Sequence, residues 1–181
     1  MNKTAFLDLN GTLVTPTKVD RLEDLAVIPG ATAAVAALCR GGFRCVVVTV
    51  QSRIGRGAFT EAQFLAWFCR LVEEMAMEGA VLEGPYVCPH RGHGHCTCKK
   101  PLAGLYERAA EERGLELEGA VVIGDSAADM QAAERFGGIG CLVRTGWAAD
   151  DSNFAVARPH AAYVGVDLNE VVDWILAESA A

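Results

Sequence analysis

Three short apolar runs, each stopping at a polar side chain, constrain this chain more than any other feature. Thr4-Ala5-Phe6-Leu7 stops at Asp8, Phe43 to Val48 stops at Thr49, and Ala120-Val121-Val122-Ile123 stops at Gly124-Asp125. Each is too short for a helix and is bounded by turn residues, so each reads as a buried strand. Helical patterns separate them: Ala31 to Arg40, closed by Gly41-Gly42, and a long segment from an N-cap at Thr60 to about Glu78. In the latter, Phe64, Leu65, Phe68, Leu71, Val72 and Met75 fall at helical spacing, a stripe that reads as core packing. Leu102 to Arg113, Ala127 to Phe136 and Asp167 to Leu176 are further helices, and Val81 to Val87, Gly140 to Val143 and Ala162 to Val164 further strands. Pro16 to Val27 reads as a polar loop, and Gln51 to Ala58 as a basic loop containing glycine.

Strands alternating with helices predict an α/β fold, a doubly wound parallel sheet in a single domain spanning residues 1–181. Parallel strands share their C-terminal edge, so Asp8, Thr49 and Asp125 belong together at the place where open α/β sheets bind ligands. Asp8 alone reads equally as a cap for the turn that Gly11 permits. The set of three does not. Two converging carboxylates repel each other unless a cation lies between them, and hard oxygen ligands suit Mg2+. A phosphate group would complete such a site.

Composition excludes competing classes. A net charge of -7 argues against non-specific nucleic-acid binding and against docking on anionic lipid. No apolar run approaches the ~20 residues of a membrane span, and no basic-then-apolar signal opens the chain, so a cytoplasmic protein is expected. Nothing in the sequence demands an assembly beyond a monomer or weak homo-oligomer.

Seven cysteines are an odd number for a disulfide framework, and three of them fall between residues 88 and 98. Cys39, Cys45, Cys69 and Cys141 sit in apolar patterns as small core residues. Cys88-x-His90 and Cys96-x-Cys98 bring three thiolates and one imidazole, the ligand set of a closed, structural Zn2+ site. His93 and His95 compete as ligands, and reduced cysteines beside a histidine-rich loop are the bland alternative.

FLDLNGTL, VVVTVQS, Lys100-Pro101 and GDSAADM, in that order, resemble the four motifs of the haloacid dehalogenase-like phosphohydrolases. The absence of a large cap insertion is similar to the histidinol-phosphate and D-glycero-D-manno-heptose-1,7-bisphosphate phosphatase subfamily. QSRIGRGAFTEAQF resembles its substrate loop, and the Cys/His stretch its zinc loop. The resemblance runs from Thr4 to about Trp147. It implies a Rossmann-like, minimally capped fold and a phosphoric monoester hydrolase acting on a small phosphorylated molecule, with a heptose bisphosphate foremost and histidinol phosphate next. It also implies that Asp8 attacks phosphorus and becomes an aspartyl phosphate. Asp8, Asp125 and the backbone carbonyl of Asn10 would hold Mg2+, Thr49 and Lys100 would hold the phosphoryl oxygens, and Asp129 would orient them. Gln51, Ser52, Arg53, Arg56 and Lys99 are the substrate-facing candidates; Arg53, which the subfamily pattern does not supply, reads equally well as an ordinary exposed charge.

The chain departs from the pattern at Asn10, where these phosphatases carry a second aspartate that protonates the leaving group and then activates water. An amide donates a hydrogen bond but cannot cycle a proton, and the help lost is typically worth ~10²–10⁴-fold in rate. Three readings stay open: a substitution made to trap a complex, an enzyme whose substrate leaves easily, such as an anomeric phosphate, or a degenerate protein that binds phosphate ligands without turnover.

Overall fold

The fold is described from a computed structural model covering residues 3–92 and 96–180. Six parallel strands form its sheet: β1 (Thr4–Leu7), β4 (Arg44–Val50), β5 (Leu82–Cys88), β6 (Val121–Gly124), β7 (Ile139–Val143) and β8 (Tyr163–Gly165). Their order is β5-β4-β1-β6-β7-β8, so the first strand of the chain is central, paired with β4 through Leu7–Val47 and with β6 through Leu7–Ile123.

Side-chain alternation along each strand divides the core into two layers. Ala5 and Leu7 of β1 face α1 (Ala31–Arg40), α3 (Glu61–Ala76) and α7 (Leu168–Ala180), through Val35, Phe64, Phe68 and Val172. Phe6 faces the opposite way, towards α4 (Gly104–Arg113) and α5 (Ala127–Arg135). There its ring meets the edge of Tyr106 at 5.1 Å and 84°. Fully burying one such aromatic stabilises the fold by roughly 1.5–3 kcal/mol, so the alternation fixes which face of β1 points which way.

The N-terminus of α3 shows how local sequence sets an element's start. Thr60 Oγ1 accepts from the Gln63 N–H at 3.1 Å while Gln63 Oε1 accepts from the Thr60 N–H at 2.8 Å, a reciprocal cap. Thr60→Ala is expected to cost about 1 kcal/mol, read as a fall of about 2–4 °C in Tm by calorimetry; an unchanged Tm would refute the cap's contribution.

Two loops hold more structure than expected. Between β1 and α1, Val14–Thr15 (β2) and Ala26–Val27 (β3) pair antiparallel into a small flap, and a 3-10 turn spans Leu22–Asp24. The basic loop contains one helical turn, α2 (Ser52–Gly55). A short α6 (Asp151–Ala157) was not anticipated; Asp150 caps it by accepting from the N–H groups of Ser152 and Asn153. The flap is the insertion that follows β1, in keeping with a minimal cap. No helix among the described residues is long and apolar enough to cross a membrane.

Candidate active site

The parallel sheet brings the polar strand ends together, as the sequence pattern predicts. Asp8 follows β1, Thr49 lies at the end of β4, Asp125 follows β6, and all three border one cavity of about 320 Å³ with Lys100 and Asp129. Lys100 is buried, and its Nζ donates to Asp8 Oδ1 and to Asp129 Oδ1, each at 2.7 Å. Asp129 Oδ2 accepts from Ser126 Oγ at 2.5 Å. Both oxygens of Asp129 are thus engaged, which leaves Asp8 and Asp125 as the carboxylates placed to hold a cation.

Electrostatics favours such a cation. One ammonium faces three carboxylates whose oxygens lie within 4.8 Å of one another. Burial pushes Asp125 up to about 8, and the nearby charges of Asp8 and Asp129 act in the same direction. Burial also pushes Asp8 up to about 6 against the opposing pull of Lys100. For Lys100 burial alone acts downward, but Asp129 and Asp8 outweigh it and hold the ammonium well above its ordinary range. The acidic pair therefore lacks compensating charge, and its hard oxygen donors fit Mg2+.

Backbone packing holds Asp125 in place. The Trp147 N–H donates to its Oδ2 at 2.7 Å, and a Cβ at either Gly11 or Gly146 would overlap the same carboxylate. Gly11 and Gly146 also have φ of +94° and +56°, where side chains are strained. Thr145 Oγ1 ties the two loops together by donating to the Gly11 carbonyl at 2.5 Å.

The proposed substrate-facing residues divide into groups. Gln51 is buried, and its Nε2 donates to Asn10 Oδ1 at 2.7 Å and to Thr49 Oγ1 at 3.0 Å, so its amide group is directed at site residues. Asn10 Nδ2 in turn donates to the Pro16 carbonyl at 3.3 Å. Arg53 pairs with Asp20 at 3.0 Å, while Arg56 stands exposed; both line an adjoining cavity of about 190 Å³. Ser52 and Lys99 border the main cavity, and Lys99 Nζ donates to the Gly92 carbonyl at 2.7 Å. The sequence reading missed Lys18, Ser126 and Trp147. Trp147 follows β7, another strand end on the same edge, so topology could have found it; Lys18 carried no such signal.

The second cluster assembles as expected from its spacing. Cys88, His90, Cys96 and Cys98 place their ligand atoms within 4.8 Å of one another. Cys88 Sγ lies 3.6 Å from His90 Nδ1 and 3.9 Å from Cys96 Sγ, and His90 Nδ1 lies 3.2 Å from Cys98 Sγ. The edges of a tetrahedron around Zn2+ with these ligands are ~3.5–3.8 Å; the two Cys88 separations are close to them and the His90–Cys98 separation is shorter, so the donor set suits that ion once one edge opens slightly. Burial pushes the Cys88 thiol up to about 12, and a bound cation would replace its proton. His93 and His95, the competing ligands, lie outside the described residues.

Comparison with known proteins agrees with this geometry. Residues 97–171 match the HAD-hydrolase-like family. A D-glycero-beta-D-manno-heptose-1,7-bisphosphate 7-phosphatase from Vibrio cholerae is 37% identical over 161 residues, covering 84% of this chain and 87% of its own. A D-glycero-D-manno-heptose-1,7-bisphosphate 7-phosphatase from Thermosynechococcus vestitus is 34% identical, covering 94% and 93%. Among solved structures, a D,D-heptose 1,7-bisphosphate phosphatase from B. bronchiseptica, complexed with magnesium and phosphate, superposes with a TM-score of 0.87 at 31% identity. That match covers 97% of this chain and 99% of the other. Identity at this level across nearly whole chains reflects common descent, and this chain belongs to the haloacid dehalogenase-like phosphatases, alongside the heptose-1,7-bisphosphate 7-phosphatases.

Proposed function

We propose that the chain is a Mg2+-dependent phosphatase for a small sugar bisphosphate, working through an aspartyl phosphate on Asp8 and slowed by Asn10. The observation that carries this reading is the Asp8–Lys100–Asp129 chain of 2.7 Å contacts beside Asp125. Asp8 presents a carboxylate oxygen to phosphorus; the new O–P bond forms as the bond to the sugar oxygen breaks. Lys100 and the Thr49 hydroxyl neutralise and orient the phosphoryl oxygens, and Asp129 fixes the ammonium. Asp8, Asp125 and the Asn10 carbonyl would hold Mg2+, which when bound supplies charge compensation to the transferring group.

The leaving oxygen needs a proton, and the water that hydrolyses the aspartyl phosphate must lose one. Asn10 donates a hydrogen bond to the first but performs neither transfer. A substrate with an easily expelled oxygen loses least from this. The relatives' substrate, a heptose 1,7-bisphosphate, supports the sugar class, with histidinol phosphate second. Phosphate release from a panel of sugar mono- and bisphosphates, with and without Mg2+, tests the reading; no release above background from any of them refutes it.

Zn2+ held by Cys88, His90, Cys96 and Cys98 has a structural role in this proposal. Cys98 immediately precedes Lys99 and Lys100, so ordering the loop also sets where those two ammonium groups stand. Cys88→Ala is expected to cost about 3 kcal/mol, or roughly 6–12 °C in Tm, and to remove the one equivalent of Zn2+ that elemental analysis of the unsubstituted chain should find. Purified chain without zinc, or a variant with unchanged Tm, would count against the closed site.

A further inference from the structure

The cavity over Asp8 and Asp125 is completed by two side chains from distant loops. Lys18 comes from the flap segment between β2 and β3, and Trp147 from the turn after β7. Lys18 Nζ sits 4.2 Å from the Trp147 ring centre. Among the described residues no carboxylate pairs with this ammonium, and its partner is the aromatic face. Trp147 is 38% exposed and its backbone N–H is bonded to Asp125, so one residue contacts both that carboxylate and Lys18.

Lys18 also borders the adjoining cavity that holds Arg53 and Arg56. The two cavities share Asn10, Thr17, Lys18, Val50 and Ser52, and together they form one groove. At one end stand Lys100 and the carboxylates; at the other stand two guanidinium groups, one of them already paired with Asp20. Lys18 lies between the ends, on the segment that joins the two-residue strands β2 and β3. An ammonium resting on a π face is held more weakly than one paired with a phosphate dianion. An anionic group entering the groove therefore draws Lys18 off the indole and exposes an aromatic face to the rest of the ligand.

We infer that Lys18 and Trp147 form a substrate clamp, Lys18 recognising the second phosphate of a sugar bisphosphate and Trp147 receiving the C–H face of its ring. The inference rests on the phosphatase reading for the identity of the ligand and adds two specificity residues to it. It makes the bisphosphate preference a property of the flap as well as of the basic loop.

The test compares heptose 1,7-bisphosphate, heptose 7-phosphate and acetyl phosphate as substrates of the unsubstituted chain, Lys18→Met, Trp147→Ala and Trp147→Phe. Lys18→Met should lower kcat/KM for the bisphosphate about tenfold more than for the monophosphate, chiefly through KM. Trp147→Ala should lower it for both sugar esters more than for ringless acetyl phosphate, with Trp147→Phe recovering part of the loss. Equal losses on all three substrates, or no loss, overturn the clamp. If the unsubstituted chain hydrolyses none of them, the phosphatase reading fails separately. The clamp is then decided by calorimetric binding of the two heptose esters in Mg2+-free buffer, where Lys18→Met must weaken the bisphosphate more than the monophosphate or the inference falls.

Discussion

Asn10→Asp should raise kcat on an alkyl phosphate by about 10²–10⁴-fold, the typical worth of a positioned general acid and base. The structure gives the new carboxyl group a place to work. One oxygen would keep the Gln51 Nε2 donor now at 2.7 Å from Asn10 Oδ1. The other would face the Pro16 carbonyl, to which Asn10 Nδ2 now donates. Two oxygens facing each other favour a proton between them, so the local environment would hold the acid form ready for the leaving group. The gain should be smallest for an anomeric phosphate or acetyl phosphate, whose leaving groups need least protonation. Steady-state rates for both variants across that series measure this directly. Equal rates across the series would show that position 10 takes no part in proton transfer.

Asp8→Asn should reduce turnover by at least on the order of 10⁴-fold, because removing a covalent nucleophile eliminates the route itself. The variant should still fold, since Lys100 keeps its buried bond to Asp129 and the surrounding strand is unchanged. Acid-quenched mass spectrometry supplies a second readout. The unsubstituted chain should carry one phosphoryl group on the peptide containing Asp8 during turnover. With acetyl phosphate, whose leaving group needs least protonation, this species should accumulate because Asn10 cannot activate the water that removes it, and should fade in Asn10→Asp. Retained turnover in Asp8→Asn would require a direct attack by water and would overturn the aspartyl-phosphate route.

Long, one-sided patterns were legible in the sequence, and short or non-local features were not. Val46, Val47 and Val48 announce a buried strand because β-branched residues fit a pleat covered on both faces. Asp8, Thr49 and Asp125 followed from topology, since parallel strands end at one edge. The Cys88, His90, Cys96 and Cys98 cluster was readable because two closely spaced Cys/His pairs are the sequence pattern of a metal site. The strands at Val14–Thr15 and Ala26–Val27 are two residues each, too short to show a period of two. Helix α6 has seven residues and only Ala157 buried, so no apolar stripe marks it. The contacts of Gln51 with Asn10 and Thr49 depend on how its loop turns, which no local pattern encodes. The Lys18–Trp147 contact joins residues 129 positions apart, beyond any local pattern.

The central position of β1 governs when the protein can first act. As the chain is synthesised, the strand that ends at Asp8 is made well before one of its two neighbours, Val121–Gly124. At typical elongation rates the wait between them is on the order of ten seconds. Through that interval Ala5, Phe6 and Leu7 lack one flank of the sheet. Asp8 cannot meet either Lys100 or Asp125 until the later segments arrive. The site is therefore assembled only once β6 and Asp125 have been made, and a nascent chain truncated before β6 should be both inert and dependent on chaperones to shield β1.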